Sequence, residues 1–232
     1  MRISNIICMR KLSKKNLILL LIIIVIVILL GFTGNSIDDD EEWYKHPEAY
    51  FKEVTCQHDE YTQQLFIKLT EKISDVFEKL NLKYFLCYGS LWGALKFKST
   101  LPWDRNIDMC IIQNQLILIN EQTLYQAFKQ NDLKYYYNSR RGKYVVSYKT
   151  VSGEITVFEK IGSHMERVGW EKRLVPHLYL NYQRFPYQLI EGELPKIKFN
   201  NRLLPVPKQE FEIQKYLYPD NWWKEVKPKG CL

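Results

Sequence analysis

"FLCYGSLWGALKFKSTLPWDRNIDMCI", residues 85–111, decides how the rest of the chain is read. "KYFLCY", 83–88, reads as a buried strand, and Gly89-Ser90 turns it into a short helix. A helix N-terminus presents backbone amides and positive partial charge, so a phosphate is the natural guest at such a turn. Pro102 stops the helix from continuing, "STLPWDRN" is a loop, and "IDMCII", 107–112, is a second strand. Residues two apart on a strand share a face, so Asn106 and Asp108 point the same way. Two carboxylates so placed hold Mg²⁺ or Mn²⁺ against a diphosphate. Here one of the pair is an amide, and Asp104 lies just outside, at the end of the loop. The candidate metal ligands are therefore Asp108, Asn106 and Asp104. Arg105 offers positive charge towards a phosphate, and Trp103 offers a ring for stacking on a sugar or base.

Outward from this stretch, apolar residues recur at helical spacing over 60–80 (Leu65, Phe66, Leu69, Ile73, Val76, Phe77, Leu80), which predicts a core-packing helix. A second helix is expected over 121–131. "KYYYNSRRGKYVVSYKTVSGEITVFEK" reads as strands turning at Arg141-Gly142 and at Ser152-Gly153. Two short strands flank Asn200-Asn201, and an amphipathic helix with an aromatic turn ends the domain, where Trp222 and Trp223 are expected to close the core. Helices and strands in this order predict an α+β domain with one mixed sheet and flanking helices.

Of the 232 residues, 46% are hydrophobic, and the net charge is +7 with a pI near 9.0. Arg2, Arg10, Lys11, Lys14 and Lys15 carry five of the positive charges ahead of an apolar run, so the remainder is only mildly basic. With no basic stripe or RNA-binding signature, nucleic acid is not an expected partner. "NLILLLIIIVIVILLGF" holds no charge from Leu17 to Phe32, with basic residues before it and "DDDEE" after it. Those flanks predict a signal anchor with its N-terminus in the cytoplasm; "GFTGNS" is a poor match to a signal-peptidase site. The expected division is a cytoplasmic tail over 1–15, a transmembrane helix over 16–33, a stem over 34–59 and a lumenal domain over 60–232. Cys56, Cys87, Cys110 and Cys231 then face a compartment that allows disulfides. Four cysteines permit three pairings; at least one of Cys87 and Cys110, both in apolar strands, is expected to be a buried free thiol. His164 and His177 have no spaced partner for a zinc site and are read as packing or surface residues.

Gly89, Ser90, Leu91, Gly93, Ala94, Pro102, Trp103, Asp104, Ile107 and Asp108 resemble the signature of the LicD–fukutin family. That pattern is a strand, G-[GS]-x-L-L-G-A-x-R, a spacer, and P-W-D-D-D-[IV]-D. The ending "LLPVPKQEFEIQKYLYPDNWW" is similar to the family's V-P…L…Y-G-x-x-W. The resemblance spans about residues 60–224. It implies a nucleotidyltransferase-like fold and transfer of a phospho-alcohol of the phosphocholine or ribitol phosphate type from a CDP-activated donor to a glycan. It also implies dependence on Mg²⁺ or Mn²⁺ and residence as a single-pass type II protein of the Golgi membrane. Asp108 and Asp104 would be catalytic, Gly89, Ser90, Trp103 and Arg105 would bind substrate, and Asp108, Asn106 and Asp104 would bind the metal. The family's acidic triad falls at 106, 108 and 156, where this chain has Asn106, Asp108 and Thr156, and Arg105 replaces another acid. Glu154 shares the strand face of Thr156 and would substitute only with a changed register. The alternative is a degenerate member that binds a glycan, a nucleotide or another Golgi transferase.

Overall fold

The computed structural model describes residues 56–171 and 183–219, together with Ile22, Trp222, Trp223, Lys227 and Cys231. The expected tail and anchor, most of the stem, and His177 lie outside the described residues. No helix among the described residues is long and apolar enough to cross a membrane.

The first helix, α1 (Glu60–Lys79), starts where Asp59 caps it, its side chain accepting from the Thr62 amide at 2.7 Å. Its apolar stripe is buried as the spacing predicts: Leu65, Phe66, Leu69, Ile73, Val76 and Phe77 are each at most 2% exposed. Burying each such side chain is worth roughly 1.5–3 kcal/mol, so α1 is held chiefly by the sheet beneath it. Then follow β1 (Tyr84–Leu86), α2 (Tyr88–Lys96), β2 (Asn106–Ile112) and α3 (Glu121–Gln130), with a single helical turn, Gln113–Leu116, between the last two. Strands β3 (Lys134–Asn138), β4 (Lys143–Tyr148), β5 (Val151–Ile161), β6 (His164–Arg167) and β7 (Arg184–Pro186) complete the main sheet. A separate hairpin, β8 (Lys196–Phe199) and β9 (Arg202–Pro205), turns at Asn200 as expected, and α4 (Glu210–Leu217) follows.

The main sheet runs β1-β2-β5-β4-β3, with β6 on the far half of β5 and β7 beyond it. The pairing of β2 with β5 is parallel; the other pairings of this sheet are antiparallel. This is the mixed sheet the sequence predicts. Its register sets Asn106 opposite Ser152, Asp108 opposite Glu154 and Cys110 opposite Thr156. A Cβ on Gly153 would come within 3.1 Å of Ile73 Cδ1, so the odd-numbered face of β5 lies against α1. The even-numbered face, with Asp108, Glu154 and Thr156, looks the other way.

Three expectations are corrected. Ser152-Gly153 is not a turn but the interior of β5; the chain turns at Lys149, whose φ is 53°. Gly153 serves close packing instead, since a Cβ there would also meet the Ile107 carbonyl at 3.1 Å. Neither Cys87 nor Cys110 is a free thiol: both are buried and joined to each other, and Cys56 is joined to Cys231. The first disulfide ties the residue ahead of α2 to β2, two residues beyond Asp108. Trp223 does not close the core, being 57% exposed with its ring against Trp222.

Candidate active site

The site forms where the start of α2 meets the even-numbered face of β2 and β5. Asp108 is held from three sides. Its backbone amide donates to the buried Ser90 Oγ at 2.7 Å. The Gly89 amide donates to its Oδ2 at 3.1 Å, and the Asn106 side-chain amide donates to its Oδ1 at 2.6 Å. The turn expected to cradle a phosphate thus spends one amide and one hydroxyl on positioning the aspartate. Asn106 meets Asp108 with its nitrogen, as a donor.

Asp104 stands beside them. Its Oδ1 accepts from the Arg105 amide at 3.0 Å. Its Oδ2 is buried with no hydrogen-bond partner among the described residues. A Cβ built on Gly89 would lie 2.6 Å from that oxygen and 3.2 Å from Asp108 Oδ2. The glycine is therefore required by close approach: both carboxylates lean over its Cα. His58 contacts the Asp104 carbonyl through Nε2 and donates its amide to the Pro102 carbonyl at 3.0 Å, so the chain entering the domain braces the acidic loop.

Sequence reasoning underweighted Glu154 and missed Lys143, Tyr88 and Tyr218. Glu154 needs no shift of register; parallel pairing sets it directly opposite Asp108, and its Oε1 is paired with the Lys143 ammonium. Thr156 stands close to the Tyr88 phenol. Tyr88 and Tyr218 stand edge to face at 6.1 Å, and Gln214 of α4 holds the Tyr88 carbonyl at 3.1 Å. The signal for Tyr88 was present in the sequence, beside Gly89; nothing local marked Lys143. Of the other expected residues, Trp103 is half-buried with its ring against Phe97 and under Lys227, and Arg105 is exposed. His164 lies on β6 beside the Ser163 hydroxyl.

Burial pushes the Asp104 carboxyl up to about 6, with the Arg105 and Asn106 amides pulling against it and the Glu154 charge adding to it. Asp108 is raised well above the usual range, first by burial and then by the Asp104 and Glu154 charges. Tyr88 and Tyr218 are raised as well, first by burial, with the carboxylates adding to it. Negative charge is thus concentrated in a place that solvates it poorly.

A divalent cation suits this corner. The orphaned Asp104 oxygen and the approach of both carboxylates over Gly89 offer hard oxygen donors to an ion such as Mg²⁺ or Mn²⁺. No group of three or more His, Cys, Asp or Glu side chains among the described residues is placed to hold a metal. The protein supplies two carboxylates, which is how Mg²⁺ is held when substrate phosphates complete its shell.

No curated protein matches the chain. A family model described as LicD/FKTN/FKRP, nucleotidyltransferase domain, matches residues 81–209, which contain the whole of this site except His58, Gln214 and Tyr218. That match covers more than half of the 232 residues, and the chain belongs to this family of phosphotransferase-type, generally metal-dependent glycosylation proteins.

Proposed function

We propose that the protein is a single-pass type II transferase of the Golgi membrane. It moves a phospho-alcohol, of the phosphocholine or ribitol phosphate type, from a CDP-activated donor to a glycan hydroxyl. The observation that carries this reading is the buried, unpartnered Asp104 oxygen beside Asp108. A carboxylate oxygen left bare at a site of raised carboxylates costs stability unless a cation or proton meets it.

Asp104 and Asp108 would hold Mg²⁺ or Mn²⁺, and Asn106 joins them through its carbonyl if its amide turns over. When bound, the ion offsets negative charge on the donor diphosphate as the phosphoryl group leaves. Gly89 and Ser90 fix Asp108 so that this charge is met with little reorganisation. Glu154, its side chain 23% exposed on the same face, is the described carboxylate placed to accept the proton of the incoming hydroxyl. Trp103 and Arg105 stand on either side of Asp104 in the chain, and would contact the nucleotide through a ring and a positive charge. A lumenal address is supported by the apolar run over Leu17–Phe32 with its charge flanks and by two disulfides, which persist in oxidising compartments.

A second reading, a member that binds without turnover, is favoured by the Asn106 amide donated to Asp108 and by Thr156 in place of an acid. Calorimetric titration of the full-length chain in detergent with CDP, with and without Mn²⁺, tests the site that a donor needs. Mn²⁺-dependent binding that is lost in Asp108→Ala is expected. Binding that is indifferent to Mn²⁺ and to Asp108 would sink the transferase reading.

A further inference from the structure

Lys143 is the feature the proposed chemistry leaves unused. It opens β4 directly opposite Thr156, on the same face as Glu154 and Asp108. Its side chain is 8% exposed, and its ammonium pairs with Glu154. Burying an ammonium costs several kcal/mol even after relaxation. A strand-opening lysine would ordinarily extend into water; this one is turned into the acidic face, against the Glu154 carboxylate. The corner it faces is where family resemblance calls for a third acid, and that position is Thr156, directly across from Lys143. Loss of a negative charge and presence of a fixed positive one therefore coincide within one cross-strand pair.

We propose that Lys143 is a resident cation of the site, taking a phosphate oxygen of the bound diphosphate at the Thr156 corner, so that the protein works with one divalent ion. This rests on the reading that Asp104 and Asp108 hold that ion. Glu154 then has a second role, aiming the ammonium. A lysine serves as a point charge for phosphate, and one fixed by a neighbouring carboxylate needs little ordering when the ligand arrives.

The test uses the full-length chain in detergent, with CDP as probe and Mn²⁺ counted by the paramagnetic resonance of the free ion. Four proteins are compared with wild type: Lys143→Met, Lys143→Met/Glu154→Gln, Thr156→Asp and Thr156→Asp/Lys143→Met. The Lys143→Met/Glu154→Gln protein removes both charges of the Lys143–Glu154 ion pair together, so it reports even where Lys143→Met folds poorly. Wild type is expected to take up one Mn²⁺. Both proteins that lack the lysine but keep Thr156 are expected to bind CDP about 10- to 100-fold more weakly in Mn²⁺, the range for losing a charge-assisted phosphate contact. Thr156→Asp alone should change Mn²⁺ affinity less than about 3-fold, because the new carboxylate meets the ammonium. The Thr156→Asp/Lys143→Met protein should gain about tenfold or more, as an uncompensated carboxylate joins the site. CDP binding undiminished in Lys143→Met/Glu154→Gln, or a tenfold gain in Mn²⁺ affinity from Thr156→Asp alone, overturns the proposal. Wild type that binds CDP without Mn²⁺ and loses it with Lys143 supports the lysine while refuting the metal site; wild type that binds neither refutes both.

Discussion

Two buried polar clusters lie in this domain, and they are built to opposite rules. The first joins Thr70, Thr100 and Asn200. The Asn200 side chain accepts from the Thr100 amide at 3.1 Å and donates to Thr70 Oγ1 at 2.9 Å; Thr70 in turn donates to the Phe66 carbonyl at 2.8 Å. The Asn200 backbone amide goes to the Lys98 carbonyl at 2.8 Å. This cluster pins the β8–β9 turn to α1 and to the loop after α2, and it is neutral. The second joins Asp104, Asp108 and Glu154. It is charged, the Asp104 and Asp108 carboxyls in it are raised, and an oxygen of Asp104 has no hydrogen-bond partner among the described residues. Satisfied polar groups specify structure; unsatisfied charge in a cleft marks a place where a ligand supplies what the protein withholds.

If the first cluster is structural, Asn200→Leu should be the most damaging change. It strands the Thr100 amide, takes from Thr70 Oγ1 the bond it accepts, and puts a branched side chain at a φ of 53°. A loss of about 3 kcal/mol is expected from one stranded amide and the left-handed backbone, read by chemical or thermal unfolding. A melting temperature within a degree of wild type would break the comparison.

In the second cluster the sign reverses. Asp104 has a folded pKa of about 6, above its unfolded value, so the folded state holds the proton more tightly. Its contribution to stability is present at low pH and is lost as pH rises through about 6. Asp104→Asn removes that loss. In chelator at pH 8 the variant should be more stable than wild type by about 1–2 kcal/mol, a discounted share of the shift. At pH 4 the gain should vanish. A variant destabilised at both pH values would mean that Asp104 is merely a loop cap.

The two clusters were not equally legible in the sequence. The helices and most strands were readable, because Leu65 to Phe77 bury a regular helical stripe and Ile107 to Ile112 form a short, mostly apolar run that is buried throughout. Ser152-Gly153 misled, because a glycine beneath a helix and a glycine in a turn carry the same letter; only the approach of Ile73 separates them. Asn106 and Asp108 announced themselves by spacing along one strand, and Asp104 by its place in the loop just before it. Glu154 did not, since its face was readable but the alignment of β5 with β2 is a fact of tertiary pairing. Lys143 was invisible for the same reason, its meaning arising from what stands opposite it. The Cys87–Cys110 bond shows a further limit: apolar surroundings predict burial of a cysteine and say nothing of its partner.

The central claim is that Asp104 and Asp108 together form a cation site. The most direct measurement is titration of the metal-free, full-length chain with Mn²⁺ alone, following the signal of the free ion by paramagnetic resonance. The account predicts one Mn²⁺ taken up per folded chain at neutral pH and an affinity that weakens as pH falls below about 6, where Asp104 of the metal-free protein takes a proton that competes with the ion. It also predicts no uptake by Asp104→Asn. A folded wild type that leaves all Mn²⁺ free, or an Asp104→Asn protein that binds it as well as wild type, would contradict the account.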